Sequence, residues 1–295
     1  MRPDPARARR LNRSAILASV TVATVLVLAK LWAYAATGAL SVAASLVDSG
    51  LDLMIALGGL AAITYAARPP DEDHAFGHTS AEDLAALGQC VFILISAGVI
   101  ATASILRLLQ GDAAPLMAEG TGMAVMALSI LLTASLVLYQ RHVAAQTGNR
   151  VVMADQLHYL ADLIPNIGAL VSLWASARFG LGQIDSVIAL GAAVMLAVGA
   201  LRIGRGAWNA LMDRAADPAM IAGVEDIART WPGVHGFHDL KTRTAGSITF
   251  VNLHIELDGT QTLEQAHAIG AALRRAILAK YPNSDVIIHK DIWNG

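Results

Sequence analysis

Six stretches of the chain run apolar for about the 20 residues that a bilayer crossing needs. They fall at roughly 14–36, 40–66, 84–109, 116–141, 150–177 and 184–208. From about Asp213 the pattern changes. Asp217-Pro218 opens an amphipathic helix predicted to run to about Trp231, where Pro232-Gly233 stops it. Two strand-like runs follow at about 234–243 and 247–257, joined at Ala245-Gly246. In the second, Ile248, Phe250, Asn252, His254 and Glu256 face one way, and Thr249, Val251, Leu253, Ile255 and Leu257 the other. A helix over about 262–280 starts at Thr262 with Glu264 and Gln265 in its first turn, and a last strand covers about 285–293. The expected fold class is an all-α six-helix transmembrane domain, 1–212, followed by a small α+β domain in the order αββαβ, 213–295.

Composition agrees with this division. Only 15% of the 295 residues are charged and 55% are hydrophobic, with a mean hydropathy of +0.54, whereas soluble domains carry about 25% charged residues. The single cysteine, Cys90, lies in an apolar run and reads as a small packing residue. It excludes an internal disulfide and any CxxC metal site. The first apolar run follows a basic segment, is long enough to span, and shows no cleavage site. Arg2, Arg7, Arg9, Arg10 and Arg13 precede the first run, Arg68 sits in the second connection, Arg141 and Arg150 flank the fourth, and Arg202, Arg205 and Arg214 mark the end of the last. By the positive-inside rule both termini are expected in the cytoplasm.

Polar residues inside the apolar runs change the picture most. Asp48 and Asp52 are i, i+4, so they share one helix face about 6 Å apart along the axis. His158 and Asp162 repeat the spacing in the fifth run. Each buried charge costs about 2.5–3.5 kcal/mol on insertion scales. Lys30 is one candidate counter-charge, although its stem is long enough to snorkel. Three carboxylates and an imidazole make a natural cage for a divalent cation, and this donor set suits Zn²⁺; polar helix packing or capping is the plainer alternative. A second group, Asp71, His74 and His78, lies in the 67–83 loop, where spacing alone fits an exposed metal site or a solvated loop equally. A third gathers His238, His254, His267, His289 and Asp291 in the terminal domain. His289 and Asp291 are i, i+2 on a strand and face the same side. His235 has no clear partner and reads as structural.

Several segments taken together resemble the cation diffusion facilitator family, in its bacterial zinc/iron (ferrous-iron efflux) type. They are SLVDSGLD at 45–52, DEDHAFGH at 71–78, DQLHYLAD at 155–162, LMDRA at 211–215, WPGVHGFHDLKTR at 231–243 and SDVIIHKD at 284–291. The resemblance spans nearly the whole chain. It implies a homodimer in the bacterial inner membrane, six spans per protomer, and a ferredoxin- or metallochaperone-like cytoplasmic domain. It implies export of Zn²⁺, with Cd²⁺ and Fe²⁺ as further candidate cargoes, in exchange for protons, with metal ions, protons, lipid and a second copy as partners and no nucleic acid. Asp48, Asp52, His158 and Asp162 would form the transport site, and Asp71, His74 and His78 the loop site. His238, His254, His267, His289 and Asp291 would form a structural or regulatory two-metal site, with His267 its weakest member. One departure stands out. The family type carries a lysine just after the second loop histidine, pairing with the aspartate that matches Asp213; here that position is Ser80.

Other functions are less well matched. An intramembrane metalloprotease would want HExxH, which is absent, and no enzyme activity is expected. A passive divalent-cation channel prefers weak multi-site binding over a four-donor cage. A membrane-anchored metal sensor would not need six spans.

Overall fold

The computed structural model describes residues 4–37, 40–110, 120–179 and 184–294. The expected turns at 37–40, 110–115 and 178–183 fall wholly or partly outside the described residues. Six long helices come first: α1 (Pro5–Thr37), α2 (Leu40–Ala66), α3 (Ser80–Gln110), α4 (Gly120–Thr147), α5 (Arg150–Phe179) and α6 (Ile184–Leu211). The terminal part follows as α7 (Pro218–Arg229), β1 (Gly236–Ala245), β2 (Ile248–Leu257), α8 (Leu263–Lys280) and β3 (Ser284–Ile292). This is the αββαβ order read from the sequence. The chain separates into two compact units, 8–207 and 208–295 with the first seven residues.

In the helical unit, small residues face inward and large apolar ones outward. Ala15, Ala23, Ala56, Ala86, Ala154, Ala200 and Ala207 are buried, while Leu28, Ile95, Val99, Leu131 and Leu138 are exposed. That inversion of a soluble core is the expected arrangement in lipid, where close backbone approach drives helix association. Gly199 on α6 shows how tight the approach is, because a Cβ there would sit 2.9 Å from Leu157 Cδ2 on α5. Cys90 is buried among Ile93, Ala97, Ala154, Leu196 and Ala200, a packing residue as expected. Among the described residues, five helices are long and apolar enough to cross a membrane. The remaining long helix is α5, whose run is interrupted by Asp155, His158 and Asp162.

Two helix ends differ from expectation. α1 begins at Pro5 and takes in the basic segment, because proline suits a first helical turn and nothing breaks the pattern before residue 37. α4 continues to Thr147, so the fourth connection shrinks to Gly148-Asn149. Gly148 there takes a positive φ of 67° and its N–H donates to Ala144 O, closing α4. Asn149 opens α5 by accepting from the Val152 N–H at 3.1 Å.

In the terminal unit the sheet order is β1-β2-β3, antiparallel between β1 and β2 and parallel between β2 and β3. A parallel neighbour requires a crossover, and α8 supplies it. The pairing slips between His238 and Lys241, where Asp239 takes a φ of 50°. Val251, Leu253, Ile255 and Leu257 of β2 join Val224, Leu273, Ile277 and Val286 in one core. The alternation therefore leaves Asn252, His254 and Glu256 on the open face.

Candidate metal centres

Among the described residues, three donor groups assemble. In the helical unit, α2 presents Asp52 and α5 presents His158 and Asp162, and their ligand atoms lie within 4.8 Å of one another. His158 Nε2 is 3.0 Å from Asp52 Oδ1 and 4.0 Å from Asp162 Oδ2. Asp52 and His158 are both buried, and Asp162 is partly so. The His158 ring is walled by Phe92 and Tyr159, at centroid distances of 5.8 and 5.5 Å. Asp48, one turn along α2 from Asp52, is exposed and stands outside this three-residue group. Beside it, the ammonium of Lys30 on α1 donates to Ser49 Oγ at 2.6 Å.

A second buried carboxylate lies one helical turn from His158. Asp155 Oδ2 accepts from Ser19 Oγ of α1 at 2.5 Å and from Gln140 Nε2 of α4 at 2.6 Å. The same amide also donates to Ser19 Oγ at 2.7 Å. Sequence reasoning did not single out this knot. The DQLH spacing set Asp155 on the His158 side of α5, but its partners lie on distant helices.

The loop group is built by a tight turn. Asp71 Oδ1 accepts from the His74 N–H at 2.7 Å and faces His74 Nδ1 at 3.2 Å, while Asp71 Oδ2 faces His78 Nε2 at 3.2 Å. Gly77, with a φ of 81°, turns the chain so that the two imidazoles approach to 4.5 Å between centroids. The His74 backbone N–H above all holds the Asp71 carboxyl below the usual carboxylate range, with the two imidazoles adding. His78 is buried and its Nδ1 finds no hydrogen-bond partner among the described residues. One carboxylate and two imidazoles with their ligand atoms within 4.8 Å of one another are a donor set that fits a divalent cation.

The third group occupies the open face of the sheet. His238, His254 and Asp291 come together from β1, β2 and β3. Asp291 Oδ2 is 2.9 Å from His254 Nδ1 and 3.3 Å from His238 Nε2, and Asp291 Oδ1 is 3.2 Å from His289 Nε2. The hydrogen bond from His254 chiefly keeps the Asp291 carboxyl below its ordinary range. Borderline imidazoles around a single carboxylate suit Zn²⁺. Glu256, not named as a donor from the sequence, reaches His238 Nδ1 at 3.1 Å. The strand alternation had already placed it on the His254 face. His267 lies exposed on α8 and outside the group. His235 stacks on Trp293 at 4.6 Å. Asp213 pairs with Arg243 at 3.1 Å inside its own unit.

With this geometry established, comparison with known proteins places the chain. Residues 16–212 match the cation efflux transmembrane domain, and residues 216–292 match the cytoplasmic domain of cation efflux proteins. The chain belongs to the cation efflux family. It is 41% identical over 282 residues to the cation-efflux pump FieF of Cronobacter sakazakii, covering 96% of this chain and 93% of that one. It is 39% identical over 282 residues to FieF of Klebsiella pneumoniae subsp. pneumoniae, with the same coverage. Among solved structures, the zinc form of the putative zinc transporter CzrB is 27% identical, covering 27% of this chain and 92% of that one at a TM-score of 0.26. The MamM-CTD is 26% identical over 25% of this chain and 96% of that one, at a TM-score of 0.25. This member of the cation efflux family is thus a multi-pass membrane protein of a transporter family, with the terminal domain that the family carries.

Proposed function

We propose that the chain exports Zn²⁺ from the cytoplasm in exchange for protons, with Cd²⁺ and Fe²⁺ as further candidate cargoes. The observation that carries this reading is the convergence of Asp52, His158 and Asp162 from two helices inside the apolar unit. Asp48 would complete the shell as the fourth donor when metal is held. An imidazole among carboxylates favours Zn²⁺ and Cd²⁺ over harder ions. Each donor must shed its proton to bind, so metal and protons compete for one site. With the site open to the cytoplasm, metal displaces protons from His158 and the aspartates. With the site open outward, higher proton activity reverses the exchange, and the inward proton gradient drives export.

The same reading assigns the rest of the chain. The transmembrane domain ends at Met212, and Asp213 begins a cytoplasmic domain. Asp71, His74 and His78 would hold a loop metal. His238, His254, His289 and Asp291, with His267 more remote, would hold metal that braces a homodimer in the inner membrane, both termini being cytoplasmic. A resident Zn²⁺ would supply cross-linking there and no chemistry. Arg243 occupies Asp213, so dimerisation would lean on the sheet face.

Zinc flux in proteoliposomes under an imposed pH gradient tests the proposal. Wild type should move Zn²⁺ uphill and reverse when the gradient is reversed, and Asp52→Ala should abolish the flux while remaining folded. Retained proton-coupled flux in Asp52→Ala would sink the site assignment. Downhill leakage indifferent to the gradient would favour a channel, and no flux from folded wild type a sensor.

A further inference from the structure

Lys30 is the sole Lys or Arg between Arg13 and Arg68, a stretch that contains most of α1 and all of α2. A lysine in an apolar span is costly unless it has a counter-charge. The structure turns its ammonium inward. Nζ donates at 2.6 Å to Ser49 Oγ, a hydroxyl buried to 1% exposure and flanked in the chain by Asp48 and Asp52. The snorkelling alternative is therefore not the one adopted: the cation is hydrogen-bonded across the α1–α2 contact, beside the donor group.

We propose that Lys30 is a fixed counter-charge that sets the affinity of the intramembrane site for its divalent cargo. This rests on the transport reading above. When ionised, the three carboxylates of the proposed shell, Asp48, Asp52 and Asp162, carry three negative charges, Asp155 being held apart by Ser19 and Gln140; the Lys30 ammonium leaves a net of two, which one divalent ion balances. Without Lys30 the surplus negative charge would hold the cation more tightly than a carrier can use, because a carrier must release what it binds. At an effective dielectric of about 20, a unit charge several ångströms from a divalent ion is worth more than a factor of ten in affinity. Ser49 acts as the tether that keeps the ammonium on the Asp48 side.

The test is the split between KM and maximal rate for Zn²⁺ and Cd²⁺ flux in proteoliposomes. Lys30→Met should lower KM by about tenfold and lower the maximal rate with it, since release slows. Lys30→Gln, which keeps a donor for Ser49, carries the same expectation if the methionine variant fails to fold. Lys30→Arg should restore both parameters to near wild type, and Ser49→Ala should shift KM less than Lys30→Met does. A folded Lys30→Met or Lys30→Gln with unchanged or raised KM overturns the proposal, as does an arginine variant no better than methionine. A purely structural lysine would change the yield of folded protein and leave KM alone. Wild type that shows no saturable metal flux would overturn the transport reading itself, whereas saturable wild-type flux with unshifted variants would remove only the role of Lys30.

Discussion

At the scale of single residues, Asp155 is the clearest structural commitment in the helical unit. It is fully buried and is the common acceptor for Ser19 and Gln140, so three helices meet on one carboxylate oxygen. Its other oxygen, Oδ1, has no hydrogen-bond partner among the described residues. Asp155→Ala would remove the shared acceptor and leave Gln140 Nε2 only Ser19 Oγ and Ser19 Oγ only Ala15 O, at a cost of about 1–3 kcal/mol. Asp155→Asn keeps an acceptor in place and should cost less. The order of unfolding temperatures in detergent should be wild type, then asparagine, then alanine, and an alanine variant as stable as wild type would show that the knot contributes nothing. No inspection of the chain could have found this contact, because Ser19 and Asp155 are 136 residues apart. The donor pairs, by contrast, were legible because helical periodicity alone puts residues four apart on one face. Their sorting was not: Asp48 and Asp52 share that face, yet only Asp52 meets His158, since the distance between α2 and α5 is a property of packing.

At the scale of elements, α8 shows local chemistry that was readable in advance. Thr262 Oγ1 accepts from the Gln265 N–H at 3.3 Å, and the Gln265 side chain accepts from the Thr262 N–H at 2.9 Å, closing a capping box. Thr262→Ala should cost the terminal unit about 1 kcal/mol. Thermal unfolding monitored by Trp231 and Trp293 fluorescence should shift down by several degrees, and no shift would mean that the sheet alone holds α8. The strands were legible for a similar reason, since β2 alternates by two and buries Val251, Leu253 and Ile255 as expected. The register slip after His238 was not, because it depends on Asp239 adopting a positive φ without a glycine. Helix ends were misread where polar residues continue a helix past the apolar run. Residues 142–147 are polar enough to look like a connection, yet they hold no proline or glycine to stop α4.

At the scale of the whole molecule, the two compact units carry different donor groups, and the question is whether they communicate. A regulatory metal on the sheet face would tie transport to cytoplasmic zinc through His254 and His289. Alanine at His254 and at His289 should then move the zinc concentration at which transport becomes half-maximal, leaving the maximal rate close to wild type. An unmoved midpoint would confine that face to assembly. The joint between α4 and α5 bears on how the other unit works. Gly148-Asn149 is too short to let α5 slide like a piston past α4, because each residue of travel would unwind a cap at one side of the turn. What remains is a lever with its fulcrum at the turn. Along α5, Asp155 lies about 8 Å from Arg150, His158 about 12 Å and Asp162 about 18 Å. A swing of the helix therefore displaces Asp162 more than twice as far as Asp155. The knot at Ser19 and Gln140 would hold nearly still while the outer carboxylate travels, so the cage would come apart from one end and let its ion go in a set order of broken bonds.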